Sequence, residues 1–571
     1  MAVTDNMGDG ATSFLPRTIT ELRAGYSAQK FIRDLLAGLT VGVVALPLAM
    51  AFAIASGTTP ERGLFTAIVA GFLISLLGGS RYQIGGPTGA FVVIIYNVIY
   101  RHGYDGLVIT TLLAGTMLLL FGLCRIGVLI KYIPYPVTTG FTAGIAVLIF
   151  SSQMKDFFGL TMDAVPPEFF DKWLAYGEHL DTLNPTTLCV AGFALASILA
   201  TRRFIPRIPA PVVGVGLASL AVWALGLDVE TIGSRFGGIP RELPSFAWPA
   251  FTFARVRELL PDAMTIGLLA GIESLLSCVV ADGMTGDKHN SNVELTAQGA
   301  ANIASVLFGG IPATGAIART VTNIRSGGQT PVAGMIHAAV LVAFVLFLAP
   351  LASFIPLASL AAVLIMVSWD MSELHKFLRL LRAPKSDVTV MCLTFVLTVV
   401  IDLTVAVYVG VVLAALLFMR RMSEVTAICS CAIDDKPVIQ GRETAELTVP
   451  EGVQVYEIDG PFFFGVADRF QSVSQALQKQ PEVFILRMRK ANTVDSTGAN
   501  ALEAFYRTCR RRGTALLLSG VRPAARNMME RFGTLDLIGR ENLFENVDRA
   551  LEHAVRLMAD KRGVTPPAAQ K

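Results

Sequence analysis

The chain has 571 residues, of which 53% are hydrophobic and 16% charged, and its mean hydropathy is +0.57. Soluble globular chains carry about a quarter charged residues, so the deficit points to a multi-spanning membrane protein. A net charge of +3 is too small to suggest a nucleic-acid partner.

The first stretch is polar until about Phe31, with no apolar core near Met1, so no cleavable signal peptide is expected. Residues 31–421 hold long apolar runs, and from about Met422 charge returns at soluble density. Twelve apolar segments lie near the roughly 20 residues a spanning helix needs. They are 34–55, 63–79, 106–124, 134–152, 184–201, 211–227, 262–281, 293–309, 330–349, 354–369, 387–401 and 403–419. Two more, 87–98 and 314–324, are short, which makes fourteen. The expected domains are a segment at 1–30, a membrane domain at 31–421 with halves at about 31–227 and 258–421, and a cytosolic domain and tail at 422–571.

Basic residues set the expected orientation. Arg17, Arg23, Lys30 and Arg33 precede the first span, and Arg81, Arg125, Lys131, Arg202, Arg203 and Arg207 fall in alternate loops. Lys376, Arg379, Arg382, Lys385, Arg420 and Arg421 continue the pattern, whereas 155–183 is rich in Asp and Glu. By the positive-inside rule both termini are cytoplasmic, which requires an even number of spans.

Both short segments open on Thr-Gly-Ala: "GGPTGAF" from Gly85 and "IPATGAIARTVTNIR" from Ile311. Each is third in its run of seven. Matched broken segments in two halves mark a transporter site, and seven spans per half make the halves inverted. The two helix starts then face each other. Each start leaves unpaired N–H groups and about half a positive charge, which together make an anion site. Thr88 and Thr314 are expected to supply hydroxyls, and Gly89 and Gly315 to admit a ligand close to the backbone. Pro87 is expected in the first helical turn. The plain alternative is that Gly and Pro are common in membrane helices.

Glu273 is the only charge between Asp262 and Asp282, and Arg319 sits inside the second short segment. Intramembrane charges are costly, so function is the default reading. Arg319 is expected to reach the mouth of the site or to pair with Glu273; a purely structural ion pair is the alternative. Protonation of Glu273 is expected to be linked to anion binding. The seven cysteines (Cys124, Cys189, Cys278, Cys392, Cys429, Cys431, Cys509) are scattered and read as unpaired thiols; Cys429-Ser-Cys431 is a weak metal signal.

At these residues the chain resembles the SulP anion permeases, a family that includes sulfate permeases, pendrin and prestin. The resemblance runs from about Phe31 to Met558. "AGLTVGVVALPLAMAFAIASG" is similar to the family's first helix and implies Pro47, Ala49 and Phe52 beside the substrate. "GGPTGAF" and "IPATGAIARTVTN" resemble its third and tenth helices, implying Thr88, Gly89, Ala90, Gly315, Ala316 and Arg319 as anion ligands. "AGIESLLSCVVADGMTGDKHNSNVELTAQGAANI" places Glu273 at the coupling position.

The fold this implies is a polytopic α-helical membrane protein of fourteen spans, seven-plus-seven inverted repeats divided into core and gate. It implies an elevator-like motion and a homodimer in the bacterial inner membrane. In sodium-coupled bicarbonate members the acid is Asp and a Thr follows the Gly-Ala; here Glu273 and Ile317 stand there, which favours protons over sodium. "DGMTGDKH" and "SWDMSELHK" resemble the dicarboxylate-transporting DauA-type branch, so sulfate and succinate-like dianions stay open.

After Arg421, "VQVYEID" (453–459), "EVFILRM" (482–488) and "TALLLSG" (514–520) read as strands between helices. This pattern resembles a STAS domain, with a soluble partner as one expectation. "TVDSTG" lies where relatives carry a phosphorylatable serine, so Ser496 or Thr497 is a candidate; the alternative is a helix cap from Asp495 or Ser496. "PFFFG" (461–465) reads as a packing surface. No nucleotide loop, metal cluster or nucleophile motif suggests an enzyme or a cofactor. The expected function is a proton-coupled secondary carrier of a small anion. A sodium-coupled bicarbonate transporter, a passive channel and a membrane-anchored scaffold are the alternatives.

Overall fold

The computed structural model describes residues 14–127, 134–162, 165–206, 208–249, 253–401, 403–430, 449–463 and 481–562. Lys131, Arg207, Cys431 and the second half of "PFFFG" lie outside them. The chain divides into two units, 1–414 and 415–571.

The first unit is helical. A short helix α1 (Arg17–Arg23) precedes α2 (Ala28–Ala55), which Ser27 caps by accepting from the Lys30 amide. α3 (Pro60–Leu77) leads into the two-residue strand β1 (Gly85–Gly86). α4 (Gly89–Leu123) is broken where Gly103 adopts φ 70°, so it is two helices joined end to end. Then come α5 (Tyr135–Ser152), a loop helix α6 (Phe169–Glu178), α7 (Pro185–Phe204), α8 (Ala210–Leu225) and the single-turn α9 (Ile232–Phe236).

The second run has α10 (Phe253–Thr285), α11 (Ser291–Leu307), β2 (Thr314–Gly315), α12 (Ile317–Arg325) and α13 (Val332–Ala343). It ends with α14 (Leu357–Ser372), α15 (Lys385–Val400) and α16 (Leu403–Val425). Nine helical stretches among the described residues are long and apolar enough to cross a membrane. Helices suit that solvent because they satisfy their own backbone groups.

The helices pack in two groups. α2, α3, α4, α10, α11, α12 and α13 lie against one another, and α5, α7, α8, α14 and α15 form the other set. Glycines let the first group approach closely; Gly38 and Gly42 of α2 lie on Ala333, Ile336 and Val340 at the start of α13 and along it. Asp34, fully buried on α2, fixes that contact. Its carboxylate accepts from the amides of Gln329 (2.7 Å) and Thr330 (3.1 Å) and from the Thr330 hydroxyl (2.6 Å).

In the second unit β3 (Ala427–Ser430), β4 (Val453–Asp459), β5 (Val483–Lys490), β6 (Ala515–Ser519) and β7 (Leu543–Phe544) form one sheet in that order. Only the β3–β4 pair is antiparallel. α17 (Ser496–Arg511), α18 (Pro523–Phe532) and α19 (Val547–Arg562) complete it. Side chains alternate between two cores: Phe484 and Leu486 join one with α17, while Val483 and Ile485 join one with α19. Asp495 caps α17 by accepting from the Gly498 amide at 2.7 Å, which is the capping reading of "TVDSTG". Phe462 is buried in the first of these cores.

Candidate anion site

The two Thr-Gly-Ala phrases meet. β1 and β2 pair antiparallel, Gly85 opposite Gly315 and Gly86 opposite Thr314, and the Ala316 amide donates to the Ile84 carbonyl at 2.8 Å. The ladder puts the start of α4 beside the start of α12. No backbone hydrogen bond among the described residues occupies the amides of Gly89 and Ala90, or those of Ile317 and Ala318. Helix starts in this state attract anions.

Arg319 supplies a full charge. Its side chain is 2% exposed, and Nη2 donates to the Pro87 carbonyl at 2.9 Å, just ahead of the opposite helix. Nη1 is buried with no hydrogen-bond partner, and no carboxylate among the described residues reaches the guanidinium. Gly86 (φ 149°) allows this approach, since a Cβ there would overlap Nη1.

Glu273, on α10, is partly exposed and accepts from the Thr88 hydroxyl at 3.2 Å. Thr88 is the N-cap of α4, but its hydroxyl is spent on Glu273 rather than on capping. The expected Glu273–Arg319 pair is therefore not formed: each group uses a different part of the Pro87-Thr88 corner. Three further expectations change. Thr314 is buried and donates to the Ala270 carbonyl at 3.0 Å, so its hydroxyl serves the fold. Pro87 precedes the cap instead of opening the helix, because Thr88 is extended. The second short helix begins at Ile317, three residues later than the sequence pattern suggests, because the ladder keeps Thr314 and Gly315 extended.

The remaining named residues separate into lining and support. A Cβ on Gly89 would lie 2.8 Å from Met371 Sδ, 3.2 Å from Ile149 Cδ1 and 3.3 Å from Phe52 Cε1, so Phe52 faces the tip. Pro47 and Ala49 are buried in α2, and the Ala49 carbonyl lies against Gly63 of α3. The Gly315 amide donates to Ser274 Oγ at 3.0 Å, and Ala316 caps α12. Ile317 is 42% exposed, while Ser496 and Thr497 lie at the start of α17 in the other unit.

Several supporting residues escaped the sequence reading. Gln83 Nε2 donates to the Ser274 carbonyl at 3.1 Å, and Asn302 holds both backbone groups of Ala313 at 2.9 and 2.8 Å. His337 on α13 is fully buried, and neither ring nitrogen has a hydrogen-bond partner among the described residues. Its position amid small apolar residues gave no pattern to find.

Comparison with known proteins agrees with this architecture. The Sulfate permease family model matches residues 31–394, and the STAS domain model matches 444–550. The chain belongs to the sulfate permease family. It is a multi-pass membrane protein with a C-terminal STAS domain. "Putative sulfate transporter YvdB" of Bacillus subtilis is 42% identical over 92% of this chain and 98% of that protein. Bicarbonate transporter BicA of Synechocystis is 30% identical over 94% of this chain and 96% of its own. The fold is that of murine Slc26a9 in its inward-facing state, with a TM-score of 0.83, 18% identity and coverage of 95% and 94% of the two chains.

Proposed function

We propose that this chain is a secondary active carrier of a small anion, either sulfate or a C4 dicarboxylate, with the anion held between the starts of α4 and α12. One observation carries the reading: a buried guanidinium with no carboxylate partner stands where two helix starts meet. A buried charge without a partner is costly, so the place calls for a negative guest. Thr88, Gly89, Ala90, Ala316 and Arg319 would face it, with Phe52 against its apolar side.

Glu273 supplies coupling. An ionised carboxylate next to a bound anion repels it, by about 4 kcal/mol for unit charges 4 Å apart at an effective dielectric near 20. A proton on Glu273 removes that repulsion, so proton and anion travel together. The two packing groups would move as core and gate of fourteen spans in two inverted repeats. Both termini would face the cytoplasm of a bacterial inner membrane, with a second copy as partner. "DGMTGDKH" and "SWDMSELHK" keep dicarboxylates in view beside sulfate.

The test is uptake of labelled sulfate or succinate into proteoliposomes against its own gradient. Wild type should accumulate the anion when the external side is acidified, and Glu273→Gln should lose that dependence on pH. Normal pH dependence in the variant would discard the coupling; dissipation without accumulation would indicate a channel. A bicarbonate reading has the likeness to BicA behind it. Against it, the exposed side chain of Ile317 offers no oxygen to a sodium ion. Sodium-dependent bicarbonate uptake would reverse that preference.

A further inference from the structure

A cavity of about 420 Å³ opens at the Ala55 end of α2, within one turn of the start of α4. Val92, Val93 and Tyr96 of α4 line it, as do Leu148 of α5 and Lys172 of α6. It is separate from the meeting point of the helix starts, since Arg319 and Glu273 do not line it.

Lys172 is the unusual group. The residue is 6% exposed, yet its ammonium has no hydrogen bond or ion pair among the described residues. Its nearest recorded contact is the Tyr96 ring, 5.9 Å from Nζ. The other charges around it are committed. Arg235 of α9 donates to Asp156 at 2.9 Å and also to Glu230, and Lys155 donates to the Met162 carbonyl at 2.6 Å. A second orphan shares the cavity: the Thr59 hydroxyl is buried with no hydrogen-bond partner.

We propose that this cavity is a second anion station, in which the Lys172 ammonium and the Thr59 hydroxyl hold the solute on its way to or from the helix-start site. The proposal rests on the reading of the chain as an anion carrier. Its chemistry is that of a small oxyanion: one full charge, one hydroxyl donor and an aromatic wall. By the positive-inside orientation the cavity faces outward, so the station would gather anions arriving from that side.

The station should be sensitive to pH. Burial pushes the Lys172 ammonium down from 10.5 to about 8, with Glu168 on the same segment opposing the shift. Tyr176, on the same loop helix, is pushed up by burial and stays neutral over this range. The ammonium is therefore present below about pH 8 and lost above it, and anion binding at the station follows.

Equilibrium binding of labelled sulfate to the purified full-length protein tests this. At neutral pH two sites per chain are expected. Lys172→Gln should remove one site or weaken it about tenfold, and Lys172→Arg should keep it. Raising the pH through 8 should produce the same loss in the Glu273→Gln background, where the helix-start site no longer depends on pH. Thr88→Val should remove the other site and leave this one. Sulfate binding unchanged by Lys172→Gln, with the variant eluting as a monodisperse peak, overturns the proposal. If Thr88→Val alone leaves binding intact, the helix-start reading falls and the Lys172 station stands.

Discussion

Arg319 is held by geometry that only a guanidinium provides. Nη2 reaches across to the Pro87 carbonyl while Nη1 remains free, so one side chain both ties the two helix starts together and presents charge. Lysine keeps the charge but is a shorter point donor. Arg319→Lys should therefore fold and yet lose about 10- to 100-fold in uptake, matching a charge-assisted hydrogen bond worth about 1.5–3 kcal/mol. Initial uptake rates beside a thermal scan would check it; an unchanged rate would show that the Pro87 contact is dispensable. The sequence made Arg319 conspicuous as an intramembrane charge. It did not reveal that Arg319 and Glu273 bind neighbouring groups of the other half-helix instead of each other.

At the scale of elements, the loop before α12 is held by side chains from α10 and α11. Asn302 closes a two-way hydrogen bond with Ala313, and Ser274 receives the Gly315 amide. All four residues are buried. Asn302→Ala would leave both backbone groups of Ala313 without partners, at about 1–3 kcal/mol each. The expected result is a clearly lower midpoint of thermal unfolding in detergent, with anion affinity falling alongside. A midpoint within a degree of wild type would mean that water replaces the amide. The helical segments themselves were legible, because a long apolar run in a charge-poor chain has few other fates. The first turn of α12 was not: Thr314 and Gly315 continue the hydrophobic run, but the ladder with Gly85 and Gly86 draws them into strand geometry.

Across the whole molecule, the charge density changes near residue 422, whereas the structural division falls between 414 and 415. The difference arises because α16 continues through both, from Leu403 to Val425. Each unit has its own hydrophobic core. A chain ended after Val425 should consequently fold in detergent and transport no more than about tenfold more slowly than the full chain. Size-exclusion chromatography and uptake would report this. Complete loss of transport from a well-folded truncation would favour the scaffold reading, in which the STAS domain carries the activity.

Composition and apolar run length alone determined that this chain is a membrane protein whose C-terminal part is of a different kind, and the repeated Thr-Gly-Ala phrase singled out the two segments that the β1–β2 ladder brings together. Those are local properties: burying a run of apolar residues, or opening a helix at a glycine, depends on neighbours in sequence. The tertiary structure alone decided which polar groups are used and which are left over. Thr314 was consumed by Ala270, Arg319 was left without a carboxylate, and Lys172 was enclosed beside Tyr96. Pairing of this kind is set by residues tens to hundreds of positions apart, and no spacing in the chain encodes the distance between them.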